Sequence, residues 1–401
     1  MPSVTAPLIR AELSLNDQAI GVLQGPAFVV LYAIALLVAG HWLRSIDARR
    51  LATGAVLIWT AGGVLFALSP TFFGLVCGRA LLGVGQAAFI PAALLLIGQE
   101  TGDARRARGL SVFTAGSAAG RSVALLIGAL ILSILGPRIA LGFTSWRIMC
   151  LVMVLPNLVL ALLVLRIGRR DRVPQRRGVG LADALRTVVA APGRLLGLAF
   201  ACAGTVLVVQ AAGAWAPTIL HRNFGLGVPD SALVFGAVVL VFAPAGHLFG
   251  GWLASGRPRA RATPDRMMVW ALCIAAGCAA ALALVGDVAS AATALIGLTL
   301  AGGTATGLGM ILFQSQIDVP LRGSVSALFL ALTSTIGVGA GPWITGALSD
   351  ALGREQGLVQ ALAITVGLGT LCVALLARIF GARWRCSAIV APIPAVAGGR
   401  Q

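Results

Sequence analysis

Arg79, Gly83 and Gln86 are offset by four and seven residues inside an apolar stretch, so they fall on one face of a helix. A permanent charge in such a stretch is expensive in hydrocarbon and turns inward, where it binds a solute's anionic group or locks helices through backbone or amide contacts. Gln86 can donate and accept hydrogen bonds beside it but cannot carry a proton. Arg121 is a second charge of this kind, about 18 Å into its helix at the usual rise per residue. It follows the small-residue run Gly116-Ser117-Ala118-Ala119-Gly120, which suits close helix packing. Its alternative is to snorkel through a wet groove. His247 sits one turn from Gly250 and reads first as a satisfied interfacial histidine. Gln210, like Gln24, Asn157, Gln314, Gln316 and Gln360, could hydrogen-bond a solute or tie helices together. No aspartate or glutamate falls near the middle of any apolar run, so a carboxylate proton relay has no residue to use. Neither a metal-ligating cluster nor a Ser/His pair is spaced for chemistry, so no metal, cofactor or catalytic residue is expected. The seven cysteines lack CxxC spacing and read as small buried hydrophobes.

What must position these residues is a set of membrane helices. Of 401 residues 58% are hydrophobic and 11% charged, with a mean hydropathy of +0.96, which excludes a soluble enzyme. Fifty-one glycines suit closely packed helices in lipid. Eleven runs are long enough to cross about 30 Å of hydrocarbon: 18–42, 51–68, 73–98, 110–135, 148–165, 195–216, 231–254, 267–285, 289–313, 324–348 and 358–380. The segment before Asp17 has neither a basic nor an apolar signal-peptide region, so the first run is expected to be a retained span. The polar, basic stretch 166–194, with Pro174, Gly178 and Gly180, divides the chain into a half of five spans (1–165) and a half of six (195–380), with a tail at 381–401. Pro342 is a candidate bend, and Trp215 with Pro217 fits an aromatic belt at a helix end.

The net charge of +17 comes from 30 basic residues, all arginine, scattered between apolar runs, so a nucleic-acid surface is not indicated. One alternating set of loops and ends holds 23 arginines and the other only five. By the positive-inside rule the rich set, with the linker and tail, is cytoplasmic and the N-terminus lies outside. These arginines read as topology signals and contacts with anionic lipid. Gly40-His-Trp42-Leu43-Arg-Ser45 recurs 210 residues later as Gly250-Gly251-Trp252-Leu253-Ala-Ser255, each copy at the arginine-rich end of a span. That is a parallel internal repeat.

Several stretches in order resemble the major facilitator superfamily, and within it the spinster-like branch. They are Leu8 to Asp17 leading to Gly21-Val-Leu-Gln-Gly25, Tyr32 before Gly40, Arg79-Ala-Leu-Leu-Gly83-Val-Gly85-Gln86, Pro91-Ala-Ala, Arg105-Arg-Ala-Arg-Gly109, Trp146-Arg147, Ala214-Trp215-Ala-Pro217, and Gly339-Ala-Gly341-Pro342 with Gly346 and Asp350. The resemblance implies an all-α polytopic membrane protein of two helical bundles that rock about a central solute site. It also implies gating or conformational roles for Gly40, Ser45, Gly83, Gly250, Gly251, Ser255, Gly341 and Pro342. Three departures stand out. The family's first helix, ending in an Asp-Arg pair, has no counterpart before Pro7, so the first span is expected to be missing. Ser45 and Ser255 occupy positions where the family carries acidic gating residues, with Asp47 two residues beyond the first. Gln86 replaces a glutamate. The expectation is a monomeric inner-membrane secondary transporter of a small organic, anionic or amphiphilic solute, with Arg79, Gln86, Arg121 and Gln210 as candidate binding residues and membrane lipid as its surroundings. A non-transporting remnant or receptor-like protein is the alternative.

Overall fold

In hydrocarbon every backbone N–H and C=O must find a partner within its own segment, and apolar runs of this length accordingly fold as helices. The structure is a computed structural model that describes residues 2–100, 103–136, 142–167, 186, 188, 192–255, 263–317, 322–353 and 357–385. In the first half the helices are α1 (Pro2–Leu13), α2 (Asp17–Gln24), α3 (Pro26–Ser45), α4 (Ala48–Leu68), α5 (Phe72–Glu100), α6 (Asp103–Leu135) and α7 (Ser145–Arg166). A π-turn at Pro192–Leu196 leads the second half: α8 (Gly197–Phe224), α9 (Val228–Ser255), α10 (Pro264–Leu282), α11 (Val288–Ser315), α12 (Arg322–Thr333), α13 (Gly341–Leu352) and α14 (Gly357–Arg385). Wide π-turns at Ser334–Ala340 join α12 to α13.

Among the described residues ten segments are long and apolar enough to cross a membrane. The eleventh expected run, 110–135, lies within the 33-residue α6, where the apolar stretch among the described residues is Ala119–Leu135. Two expected spans are broken helices. Gly25 leaves helical geometry at φ −117°, ψ −91°, and Pro26 has no N–H to continue the ladder, so the first run divides into α2 and α3. Pro342 likewise follows the π-turns at the start of α13, and the expected bend is this widened segment. The stretch before Asp17, outside every expected run, forms α1. At 12 residues α1 is about 18 Å long, and it buries Val4, Ala6 and Ile9.

In one bundle α4 packs along α5 and α7, and α3 along α5. In the other α11 packs along α9 and α10, and α14 along α8 and α10. The bundles meet through α2 on α13, α3 on the π-turns and α12, α6 on α9, and α1 on α8 and α9. Trp146, Trp215 and Trp384 are fully buried, while Leu248, Ile134 and Leu162 stand out from the helices as lipid-facing residues do. The burial of Trp215 corrects the aromatic-belt expectation, because its indole Nε1 donates to the Pro342 carbonyl at 2.9 Å inside the protein. Most of the linker 166–194, and the tail from residue 386, lie outside the described residues.

Candidate functional site

The break at Gly25 creates the site around Arg79. Phe28 N–H turns to the Gly25 carbonyl instead of that of Gln24, and Pro26 has no N–H to offer, so carbonyls at the end of α2 lose their usual donors. Arg79, on α5, supplies replacements: Nε donates to Leu23 O at 2.9 Å and Nη2 to Gln24 O at 3.5 Å. Its guanidinium carbon lies 5.0 Å from the centre of the Phe28 ring, which stacks on Tyr32 at 5.4 Å. No carboxylate among the described residues pairs with Arg79, so its charge is met by carbonyl dipoles and a ring. Gln24 Nε2 is buried beside this break without a hydrogen-bond partner.

Gly83, one turn along α5, lets the α3 backbone in. A Cβ there would collide with Phe28 O and lie 3.2 Å from Tyr32 N. Gln86 is half-buried on the same helix. The face expected from spacing is therefore turned toward α2 and α3 at Arg79 and Gly83. Arg121 is exposed on α6 and forms no ion pair with a described residue, and Gln210 is half-buried on α8. His247 is exposed, with Nδ1 2.9 Å from Ala243 O and Nε2 3.3 Å from Thr306 Oγ1.

The remaining candidates fall at helix contacts or helix ends. Gly250 admits α11, since a Cβ would lie 2.8 Å from Thr304 O, and Gly341 admits α8, with Leu207 O at 2.7 Å. Both contacts stay within the second half. Gly251 faces open space. Gly40 and Ser45 lie on the last turns of α3 and Ser255 ends α9, but their side-chain surroundings lie outside the described residues. Asp47 caps α4, accepting from Arg49 N and Arg50 N. Loop arginines do more than set topology. Arg49 donates to the Leu165 and Ile167 carbonyls at the end of α7. Arg194 donates to Gln316, whose amide reaches Trp384 O.

At the arginine-poor end lie two ion-pair clusters that spacing could not reveal. Glu12 receives Thr144 Oγ1 at 2.7 Å, Trp146 Nε1 at 2.6 Å and Arg147 Nε at 2.9 Å, and Arg147 also donates to Ala67 O and Ser69 O. Burial pushes the Glu12 carboxyl up, but these donors and the Arg147 charge outweigh it and hold the group below its ordinary value. Asp17 is buried between the halves, held by Arg222 at 2.7 and 2.9 Å, by Ser349 Oγ at 2.7 Å and by Arg10 at 3.3 Å. Asp17 stands in the resembling stretch without a role, and Arg222 counts there only as a loop arginine. Their meeting across 205 residues leaves no local trace. Among the described residues no group of three or more His, Cys, Asp or Glu side chains could hold a metal.

Two bundles of membrane-crossing helices, a charged residue in the core of one and a polar fastening between them at one end define a secondary transporter of the two-bundle class. The sequence model of the Major Facilitator Superfamily matches residues 1–342. The chain belongs to that superfamily, whose members are transporters and not enzymes. It is similar to an MFS-type efflux pump of Mycolicibacterium smegmatis, 27% identical over 399 residues that cover 96% of this chain and 89% of the relative. It is also similar to the puromycin resistance protein of Streptomyces alboniger, 30% identical over 231 residues, 56% of this chain and 41% of that protein. Among solved structures, a bacterial homolog of the human lysosomal transporter Spinster, inward-facing and unoccupied, superposes with a TM-score of 0.79 at 21% identity, covering 96% of this chain and 93% of that one. The transporter FucP in an outward conformation gives 0.59 at 16% identity, with 93% of each chain covered.

Proposed function

We propose that this transporter carries a small organic solute with an anionic or acidic head, and that Arg79 attracts it. The observation that carries the reading is the charge of Arg79 in the bundle core, where two carbonyls and the Phe28 ring are its partners and no carboxylate among the described residues offsets it. In a medium of low dielectric such a charge favours an anion over a cation. Gln86 and Gln210 add hydrogen-bonding capacity, and Arg121, exposed on α6, adds a second charge. The named activities of the relatives, an efflux pump and a drug-resistance protein, support export as the direction. The half 1–165 and the half 195–380 rock about the linker 166–194, in a monomer of the inner membrane surrounded by lipid.

The test compares binding of matched anions and cations to the purified protein and to Arg79→Gln, Arg79→Lys and Arg121→Gln. Anion preference in the parent, a roughly tenfold or greater loss in Arg79→Gln and partial retention in Arg79→Lys are expected, since one charge interaction in a dry site is worth about 1.4 kcal/mol or more. Preference for cations, or unchanged anion affinity in all three variants, refutes the reading. Flux of the bound solute into vesicles separates a transporter from a receptor-like protein.

A further inference from the structure

His247 on α9 has an oxygen at each ring nitrogen: Nδ1 lies 2.9 Å from the Ala243 carbonyl, and Nε2 lies 3.3 Å from the hydroxyl of Thr306 on α11. A carbonyl oxygen only accepts, so Nδ1 is an N–H whatever the charge of the ring. The Thr306 hydroxyl has one proton and two other acceptors, the carbonyls of Gly302 and Gly303, each at 3.0 Å. With its proton on either carbonyl, the hydroxyl offers Nε2 only a lone pair, and the ring that fits is the imidazolium, a donor at both nitrogens. With its proton turned to Nε2, the hydroxyl donates to a neutral ring. Rotation of one O–H bond therefore satisfies both charge states, and no heavy atom has to move. The two helices meet closely here, because a Cβ on Gly246 would strike Leu300 O and one on Gly303 would lie 3.2 Å from His247 Nδ1.

The pair faces the other bundle. Gly236 of α9 packs on α6 of the first half, where its Cβ would lie 2.9 Å from Leu126 Cδ2 and 3.4 Å from Leu125 Cβ. His247 is three turns, about 16 Å, further along α9 and returns to the same face, and there it is exposed. Arg121, also exposed, lies one turn from Leu125 on α6. The other ionisable side chains on α9 and on the helices packed against it lie elsewhere. On α11 there are none. On α8 Cys202 borders Gly309, while His221 and Arg222 stand at the far end with Asp230 of α9 and with Arg10 and Glu12 of α1. Asp103, Arg105, Arg106 and Arg108 belong to the first turns of α6 at the arginine-rich end.

We propose that His247 and Thr306 form a proton-binding site in the gap between the bundles, and that its occupancy biases the transport cycle. Nε2 takes its proton from water in the gap as Thr306 turns its hydroxyl to the Gly302 and Gly303 carbonyls, and the reverse rotation returns the proton to water. The charged ring is hydrated while this face is open. Closing α6 over His247 would strip that water and bring the Arg121 charge nearer, so a bound proton favours the open state and closure expels it. Such a site requires that the two bundles move against each other but not that the solute be anionic, so it stands or falls apart from the solute reading above.

The experiment has two arms, both on the full-length protein in lipid nanodiscs. In the first, nitrogen NMR of protein carrying labelled histidine follows the rings from about pH 9 to about pH 5. The chain has three histidines, and the His247 signals are those lost in His247→Gln. The neutral ring should carry its proton on Nδ1, and acid should add the second at Nε2. Thr306→Val takes away the acceptor for that second proton and should make the ring about tenfold harder to protonate, while Thr306→Ser should behave as the parent. In the second arm, spin labels replace Val112 on α6 and Trp270 on α10, both exposed near the arginine-rich end, after substitution of the native cysteines. Going from about pH 8 to about pH 6 should raise the long-distance population about tenfold relative to the short one in the parent and leave it unchanged in His247→Gln. A neutral ring with its proton on Nε2, or one that takes no second proton down to about pH 5, overturns the site. A distance distribution that ignores pH in the parent, or shifts equally in His247→Gln, overturns its bias on the cycle.

Discussion

Replacing Arg147 by glutamine removes a side chain that joins three helices of the first bundle. Its side chain is 7% exposed, and the guanidinium forms a 2.7 Å ion pair with Glu12 of α1. It also satisfies the carbonyls of Ala67 and Ser69 where α4 ends, and lies 4.5 Å over the Trp146 ring. The shorter amide cannot span these partners, so two carbonyls lose their donor and Glu12 keeps only Thr144 and Trp146. Breaking a buried pair by removing one partner costs about 3–5 kcal/mol. The Glu12 side chain is 27% exposed, so water recovers part of this and the expected loss is about 3 kcal/mol. Urea denaturation in mild detergent, followed by tryptophan fluorescence, would measure it against Arg108→Gln on an exposed face of α6. A cycle with Glu12→Gln should return a coupling of about 1–3 kcal/mol. The same pair gives a pH signature. Because the Glu12 carboxyl is held below its ordinary value near 4.5, it adds stability above that pH, and the contribution is lost as pH falls through the folded value. The parent should therefore lose stability faster than Glu12→Gln below pH 4.5, by no more than about 1.4 kcal/mol per pH unit for one proton. Equal losses in Arg147→Gln and Arg108→Gln, or parallel acid profiles of parent and Glu12→Gln, would refute the reasoning.

Two further outcomes are expected. Gly83→Val, which drives a side chain into the α3 backbone at Phe28, should destabilise by about 1–3 kcal/mol, whereas Gly251→Ala, with open space around it, should be neutral or gain up to about 1 kcal/mol; thermal denaturation showing the reverse order would contradict the packing described. Alkaline phosphatase fused after Gly286 should be active outside the cell and after Arg385 inactive, if the positive-inside rule orients the chain with its arginine-poor loops outward; the opposite pattern would invert the topology. Of the five arginines assigned to that side, Arg10, Arg147 and Arg222 are also paired with carboxylates, which deepens the asymmetry of free charge.

The sequence by itself determined what depends on one helix at a time. Lipid solvates each apolar run independently, so the spans, the all-helical class and the charged face of α5 could be read from composition and spacing. Only the tertiary structure decided what depends on the rotation of one helix against another. It divided the first run at Gly25 and gave the freed carbonyls to Arg79, although Pro26 offered a local sign of the break. It also drew Trp215 out of the expected aromatic belt onto Pro342. Asp17 looks from its neighbours like a loop residue near a helix start, and Arg222 like a topology signal. Their bond forms because both lie on the inner edges of bundles that close against each other. Local periodicity places a side chain on a face, but the partner on the opposing face comes from a part of the chain that the local pattern cannot specify.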